Sequence, residues 1–545
     1  MTFRRRLLTL VAVAAVAPLG VAADARAADV PKHTIAPGVT DPAILDTVTG
    51  GTRGPHLVYL APQEQRRVGK LLVFLPYGGP DQRTTEYEEV GSEAGRLGYH
   101  TIVLAYRNDV PIANPAACGM LEAAPASPEN CAGNARQEIL SGDQVSPVVA
   151  VDEPNSIQNR LNKLLVYLKT NFAEEGWSKF VDANNKPVWS ETVIAGGSLG
   201  AGMAVLIAEQ HSVHRVSLFA GWTDARHGWV KRVATPAENY FSLIHVRDNF
   251  YERTCWAYTD LGLRETCPMP IPPSLIENNE PPFDTRQLIF NLEPQPGEVV
   301  AGNIFHASTA RDGPIRKESD GVTPVRALVN GWRSILGDKD ADGWLDLDDN
   351  CVERPNPEMT ADGEQFDTDG DEIGDLCDPT PRGTAPVIDA PGRPPVDATG
   401  PAGAIVTYEA TATDDIDAHP TVNCTPPSGA RFAIGDTLVE CGSTDSLGNT
   451  SSASFVVTVL GAKEQLTRLV GNVVNATGLS AAAKAQLTAS LQSLMAGFDP
   501  NKPLHRVTAC LSLRVFTTLV RFVATPAQRT AWTTDANRIR AVLAC

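Results

Sequence analysis

Short apolar runs punctuate the first 340 residues. Leu71–Leu75, Thr101–Ala105, Thr192–Ala195, Val216–Phe219, Ser242–Val246 and Gln287–Asn291 each have the length and composition of a buried strand. Between them lie amphipathic stretches. Ser156–Asn171 carries Leu161, Leu164, Leu165 and Leu168 at helical spacing, Gly200–Gln210 follows a strand directly, and Pro324–Leu336 reads as a last helix. Strands alternating with helices predict an α/β sheet over 28–337. The segment Gly221–Pro282, rich in Trp, Tyr, Phe and Pro, reads as an inserted lid, with Trp222–Tyr258 shaping a substrate pocket or packing as core.

The periodicity then stops. Residues 338–378 hold twelve Asp and four Glu against one Lys and one Arg, a net −14 in a chain whose total is −18. So dense an acidic segment needs cations or stays extended by self-repulsion. The overall charge also argues against nucleic-acid binding. Alternation returns in Ala404–Ala410 and Ser454–Leu460, bounded by turn signals at Pro426-Pro427, Gly435-Asp436 and Gly448-Asn449, as in a small β-sandwich. After Gly461 the spacing is helical: Ser480 caps a run with Leu487, Leu491 and Leu494, and Thr525-Pro526 opens another, predicting a small helical bundle. Residues 462–545 carry ten basic and three acidic side chains, +7.

The N-terminus has Arg4-Arg5-Arg6, an apolar run to Val21 and Ala25-Arg26-Ala27, the pattern of a secretory signal peptide over 1–27. The protein is expected outside the cell, either free or associated with its surface, and no later stretch resembles a transmembrane helix. Ten cysteines fall as neighbours in sequence: Cys118/Cys131, Cys255/Cys267, Cys351/Cys377, Cys424/Cys441 and Cys510/Cys545. An exported chain with even, locally grouped cysteines is expected to form five disulfides, although spacing alone does not fix their connectivity.

The strand Thr192–Ala195 runs into Gly196-Gly-Ser198-Leu-Gly200, which opens a helix. A serine at such a turn is held outward above a sheet, next to the positive end of a helix. With Leu71-Leu-Val-Phe-Leu-Pro-Tyr77-Gly78-Gly79-Pro80, Gly98–Arg107 and Asn303-Ile-Phe-His306, this region resembles the α/β-hydrolase family, and within it a secreted bacterial branch. The resemblance implies Ser198 as nucleophile and His306 as base. It implies a following carboxylate, Asp248 past the strand Ser242–Val246, with Asp224 in reserve. His211, His214, His227 and His245 compete for the base. Oxyanion donors would be the backbone N–H groups of Leu199 and of Tyr77 or Gly78, although Pro-Tyr-Gly-Gly departs from the family's usual His-Gly start.

Asp338-Lys-Asp340-Ala-Asp342-Gly343, continuing to Asp346 and Asp349, and a second copy from Asp367 through Asp369, Asp371 and Asp375 repeat carboxylates at alternate positions beside turns. Alternating oxygens from one loop suit calcium. The segment 338–380 resembles thrombospondin type-3 repeats, which implies these nine Asp as ligands of two structural calcium sites. Glu372 stands in the second copy where Gly343 stands in the first.

Residues 381–461 resemble a hyalin-repeat (HYR) immunoglobulin-like sandwich through Ala398–Gly403, Ala412-Thr-Asp414-Asp415, Cys424–Gly429, Cys441 and Thr444–Asn449. Residues 462–545 are similar to a FIMAH-like helical module, whose positive charge would suit anionic wall polymers. The expectation is a multi-domain chain in this order: an α/β-hydrolase fold, a calcium-binding repeat segment, a β-sandwich and a helical bundle. The function expected is a secreted serine hydrolase acting on an ester or polymer. The alternative is a non-catalytic adhesion protein with a degenerate hydrolase domain.

Overall fold

The apolar runs of the first half assemble into one eight-stranded sheet. The structure, a computed structural model, describes residues 30–545 except 46, 49–50, 63–65, 80–81, 115, 120–129, 225–228, 231–233, 264–274, 299–302, 361–362 and 391. The leader, His227 and Cys267 lie outside the described residues. The strands are β1 (Lys32–Ile35), β2 (His56–Tyr59), β3 (Leu71–Leu75), β4 (His100–Val103), β5 (Thr192–Gly197), β6 (Arg215–Phe219), β7 (Tyr240–His245) and β8 (Gln287–Phe290). Their order is β1-β2-β4-β3-β5-β6-β7-β8, and only β2 runs against the others.

Register sets the core. Val73 lies opposite Ile102 on one side and Ile194 on the other, and Phe74 opposite Val103 and Ala195. Alternate side chains feed two buried clusters, as a sheet covered on both faces requires. Val73, Ile102, Ile194 and Val216 pack with Leu161, Leu164, Leu168 and Met203, from helices α2 (Cys131–Ser141), α3 (Ile157–Asn171) and α4 (Leu199–Gln210). Leu72, Phe74, Val193 and Leu243 pack with Val90, Leu328, Trp332 and Ile335, where α1 (Glu88–Arg96) and α6 (Arg326–Leu336) cover the other face. Ser156 caps α3, accepting from Asn159 N at 3.2 Å. Pro324 lies before α6 rather than at its first position, because the helix starts at Arg326.

The stretch expected as a lid is largely scaffold. It contributes β7 and the helix α5 (Tyr251–Asp260), and Trp222, Tyr240 and Tyr258 are buried in the core. These three aromatic residues pack in the core.

Asp312 ties α1 from a distance, accepting from Glu88 N at 2.8 Å and Glu89 N at 3.2 Å. Burial, with Glu89 and Glu88 adding, pushes its carboxyl up to about 7. A folded-state value above the unfolded one means the folded protein binds more protons between pH 4 and 7. This residue's contribution to stability is therefore fully present below the unfolded value and lost as pH rises through 7. Asp312→Asn should remove that dependence. The gap between variant and wild type should shift in the variant's favour from pH 5 to pH 8, by at most about 1.4 kcal/mol per pH unit, as read by urea melts at each pH.

The chain divides into two compact units, Met1–Phe366 with Glu372–Cys377, and Asp367–Asp371 with Asp378–Cys545. The first acidic loop thus belongs to the first unit, beyond the boundary expected at 337. In the second unit Thr421–Thr425, Gly435–Thr444 and Thr450–Leu460 pair antiparallel. Cys424 stands opposite Cys441 and is bonded to it. The expected run Ala404–Ala410 yields only the short strand Ala404–Ile405. Four helices follow: α7 (Ala462–Val474), α8 (Ala481–Met495), α9 (Pro503–Val523) and α10 (Pro526–Val542). Thr525 and Gln528 form a capping box at the start of α10. One buried cluster runs from Val439 and Val457 of the strands to Leu469, Leu487, Phe516 and Ile539 of the helices, so the sandwich and the bundle share a core across residue 461. Cys118–Cys131, Cys351–Cys377 and Cys510–Cys545 are also bonded, and Cys255 is disulfide-bonded.

Candidate active site and acidic loops

Ser198 sits between β5 and α4 with φ 52° and ψ −109°. A non-glycine residue there stores strain of about 1–3 kcal/mol, which persists only where the surroundings over-determine it. They do. Ser198 N donates to Phe219 O at 3.0 Å, and a Cβ on Gly200 would lie 2.0 Å from Leu75 O. Behind the turn, Arg136 of α2 donates to Leu199 O at 3.0 Å and pairs with Asp224 through two bonds of 2.8 and 2.5 Å. Trp229 Nε1 also donates to Asp224. Asp224, the reserve acid, is therefore committed to a buried arginine.

Asp248 follows β7 and is buried. Its Oδ2 lies 2.6 Å from His306 Nδ1, and its Oδ1 accepts from Phe250 N at 2.9 Å and Asn303 Nδ2 at 3.0 Å. His306 stands on the short helical turn Ile304–Ala307, capped by Asn303. Its ring is held between Tyr77 (centroids 5.3 Å) and Phe250 (5.1 Å). The Tyr77 ring fills the space a Cβ on Gly197 would take, so it lies against both the residue before Ser198 and the imidazole. Among the described residues no hydrogen bond joins Ser198 Oγ to His306, a contact that often tightens only with substrate.

Among the described residues the other candidate histidines make different contacts. His245 accepts from Arg247 N at 3.0 Å and donates to Leu292 O at 2.9 Å, and burial pushes it down to about 4. His211 stacks on Trp189 at 4.8 Å, and His214 gives its carbonyl to Asn239.

Tyr77 differs from the expectation as an oxyanion donor, because its N–H already donates to Tyr87 Oη at 3.2 Å. Gly78 is the better placed of the pair. A Cβ on it would lie 2.8 Å from the Leu199 side chain. Neither its N–H nor that of Leu199 has an acceptor among the described residues. Asn108 pins this loop, donating to Tyr77 O at 2.6 Å and accepting from Gly79 N at 2.8 Å. Sequence reasoning missed Asn108, Tyr87, Arg136 and Asn303. Only Asn303 carried a signal, three residues before His306.

The acidic segment forms two loops with one backbone. Asp338, Asp340 and Asp342 converge in the first, and Asp367, Asp369 and Asp371 in the second. At a 29-residue offset their hydrogen bonds repeat. Asp346 N donates to Gly337 O and Asp375 N to Phe366 O, at 2.8 and 3.0 Å. Asp342 N donates to Asp340 and Asp371 N to Asp369, at 3.2 and 3.3 Å. Cys351 N donates to Asp349 and Thr380 N to Asp378, at 2.8 and 2.7 Å. Positive φ recurs at Ala341 (61°) and Gly343 (102°), then at Gly370 (78°) and Glu372 (74°). The glycine has moved by two positions while the turn is kept. The offset also pairs Asp349 with Asp378, a residue the sequence reading left out.

Asp338 Oδ1, Asp340 Oδ2 and Asp378 Oδ2 are buried without a hydrogen-bond partner among the described residues. Burial, with the neighbouring carboxylates, pushes Asp338 well above the usual range and Asp340 up to about 7. Orphaned oxygens in a like-charged cluster fit a hard divalent cation. The first loop is sewn into the first unit. Arg333 of α6 donates to Ala341 O at 3.1 Å and to Glu93 at 2.6 Å, Arg66 donates to Gly343 O and lies over Trp344, and Arg215 is 3.6 Å from Asp346.

Residues 396–459 match the HYR domain, a domain type of extracellular proteins. No curated protein matches the chain. Among solved structures it is similar to TT1662 from Thermus thermophilus, at 13% identity and a TM-score of 0.22, over 48% of this chain and 89% of that one. It is also similar to XC6422 from Xanthomonas campestris, described as an a/b serine hydrolase without lid, at 12% identity and a TM-score of 0.21, over 48% and 84%. Scores this low carry no argument, and the reading of the site rests on its own geometry.

Proposed function

We propose that the chain is a secreted serine hydrolase of carboxylic esters, carried on calcium-ordered accessory modules. The observation that carries this is the buried Asp248–His306 pair, together with a serine in a strained strand–helix turn and the Tyr77 ring that lies against both His306 and the residue before that serine. Ser198 Oγ attacks the ester carbonyl as His306 Nε2 takes its proton. Asp248 holds the Nδ1 proton and stabilises the imidazolium. The N–H groups of Leu199 and Gly78 receive the oxyanion, each contributing about 3 kcal/mol. His306 then protonates the departing alkoxide, and water releases the acid by the same route in reverse.

In the loops, Asp338, Asp340, Asp342, Asp346 and Asp349 would hold one calcium, and Asp367, Asp369 and Asp371 a second. Bound there, calcium supplies charge neutralisation and order, and takes no part in ester cleavage.

The HYR match favours a second reading, an adhesion protein whose first unit is inactive. A fluorophosphonate probe separates the two. Wild type should be labelled and Ser198→Ala should not, with turnover of an activated ester lost by about 10⁶-fold in the variant. Folded wild type that takes no label would support adhesion.

A further inference from the structure

The helix α9 presents two apolar faces, of which the fold uses one. Ala509, Leu513, Phe516 and Val520 are buried against the second unit's core. On the opposite side Leu504, Val507, Leu511, Val515 and Phe522 are 74, 57, 58, 52 and 80% exposed. Their spacing of 3, 4, 4 and 7 residues follows the helical repeat, so they form one straight ridge along a helix of 21 residues, about 31 Å long. Arg514 and Arg521, both exposed, fall along one edge of that ridge, and the helix contains no acidic residue.

We infer that this ridge docks the protein on an anionic lipid bilayer, with α9 lying in the plane of the interface. Three features choose this occupant. The exposed side chains form a ridge along the helix, and a deformable interface accepts a ridge along its length. Leucine, valine and phenylalanine suit the acyl boundary, while the arginines beside them reach headgroup phosphates. Pairing with a second copy would set Arg514 and Arg521 against the same residues with no carboxylate on either helix to offset them. The inference is independent of the catalytic reading.

The test uses the full chain and vesicles of phosphatidylglycerol or phosphatidylcholine in a flotation assay. Wild type should float with the anionic vesicles, less so at high salt, and weakly with the neutral ones. Leu511→Asp/Phe522→Asp and, separately, Arg514→Glu/Arg521→Glu should each weaken binding on the order of tenfold or more. Unchanged circular dichroism would show that these exposed positions leave the fold intact. Wild type that stays in solution would overturn the inference, as would floating that the variants leave unaltered. So would a concentration-dependent dimer in light scattering that Leu511→Asp/Phe522→Asp abolishes in the absence of vesicle binding.

Discussion

Asp248→Asn should lower turnover of an activated ester at pH 7 by about 10⁴-fold while leaving the protein folded. Phe250 N and Asn303 Nδ2 both donate to Oδ1, so the new amide keeps its oxygen toward them and turns its NH₂ toward His306. A donor there favours the tautomer with its proton on Nε2, where Ser198 needs an acceptor. Asp224→Asn is the contrast. It removes the charge facing a buried Arg136, and breaking such a pair costs about 3–5 kcal/mol. The melting temperature should fall with most activity per folded molecule retained. Stopped assays with p-nitrophenyl acetate, normalised to folded protein, distinguish the two. Equal loss of turnover in both variants, or loss in Asp224→Asn alone, would reverse the assignment of the acid.

Calcium should raise the melting temperature of the first unit as well as protect the repeats from proteases. The reason is the stitching of the first loop: Arg333 and Arg66 hold its carbonyl groups, and Arg333 also pairs with Glu93 of α1. A site filled at a hundred times its Kd contributes about 2.7 kcal/mol to the state that binds. EGTA should remove that increment, and Asp340→Asn should blunt the response to added calcium in calorimetry of both melting and binding. Identical melting curves with calcium and with EGTA would leave the loops as an acidic connector with no metal function.

Much of the sheet was legible in the sequence, because strands buried on both faces read as unbroken apolar runs. Leu71–Leu75 needs no adjustment, and the other expected strands move by one or two residues. The strands Lys32–Ile35 and His56–Tyr59 escaped, since the first is three polar residues ending in a single apolar one at the sheet edge and the second begins on a buried histidine. The helix Cys131–Ser141 escaped because it buries Arg136 and Glu138, charges that spoil an apolar stripe. In the site, the serine announced itself through local glycines. Asp248 and His306, 58 residues apart, were named through the family resemblance, and the strand order is what brings them together. Arg136 had no motif to mark it, its partner Asp224 lying 88 residues away. The repeat of the acidic loops was plain in composition, but the pairing of Asp378 with Asp349 emerges from matched backbone bonds.

The stitching of residues 338–346 to the sheet has a consequence for how the protein can be cut. A fragment ending at Gly337 would strip Trp344 from Arg66, leave the end of α6 without the Arg333–Ala341 anchor, and uncover Arg215. A cut that leaves the first unit intact must therefore fall downstream of Asp349, and the released unit would keep the first acidic loop as its own C-terminal clasp.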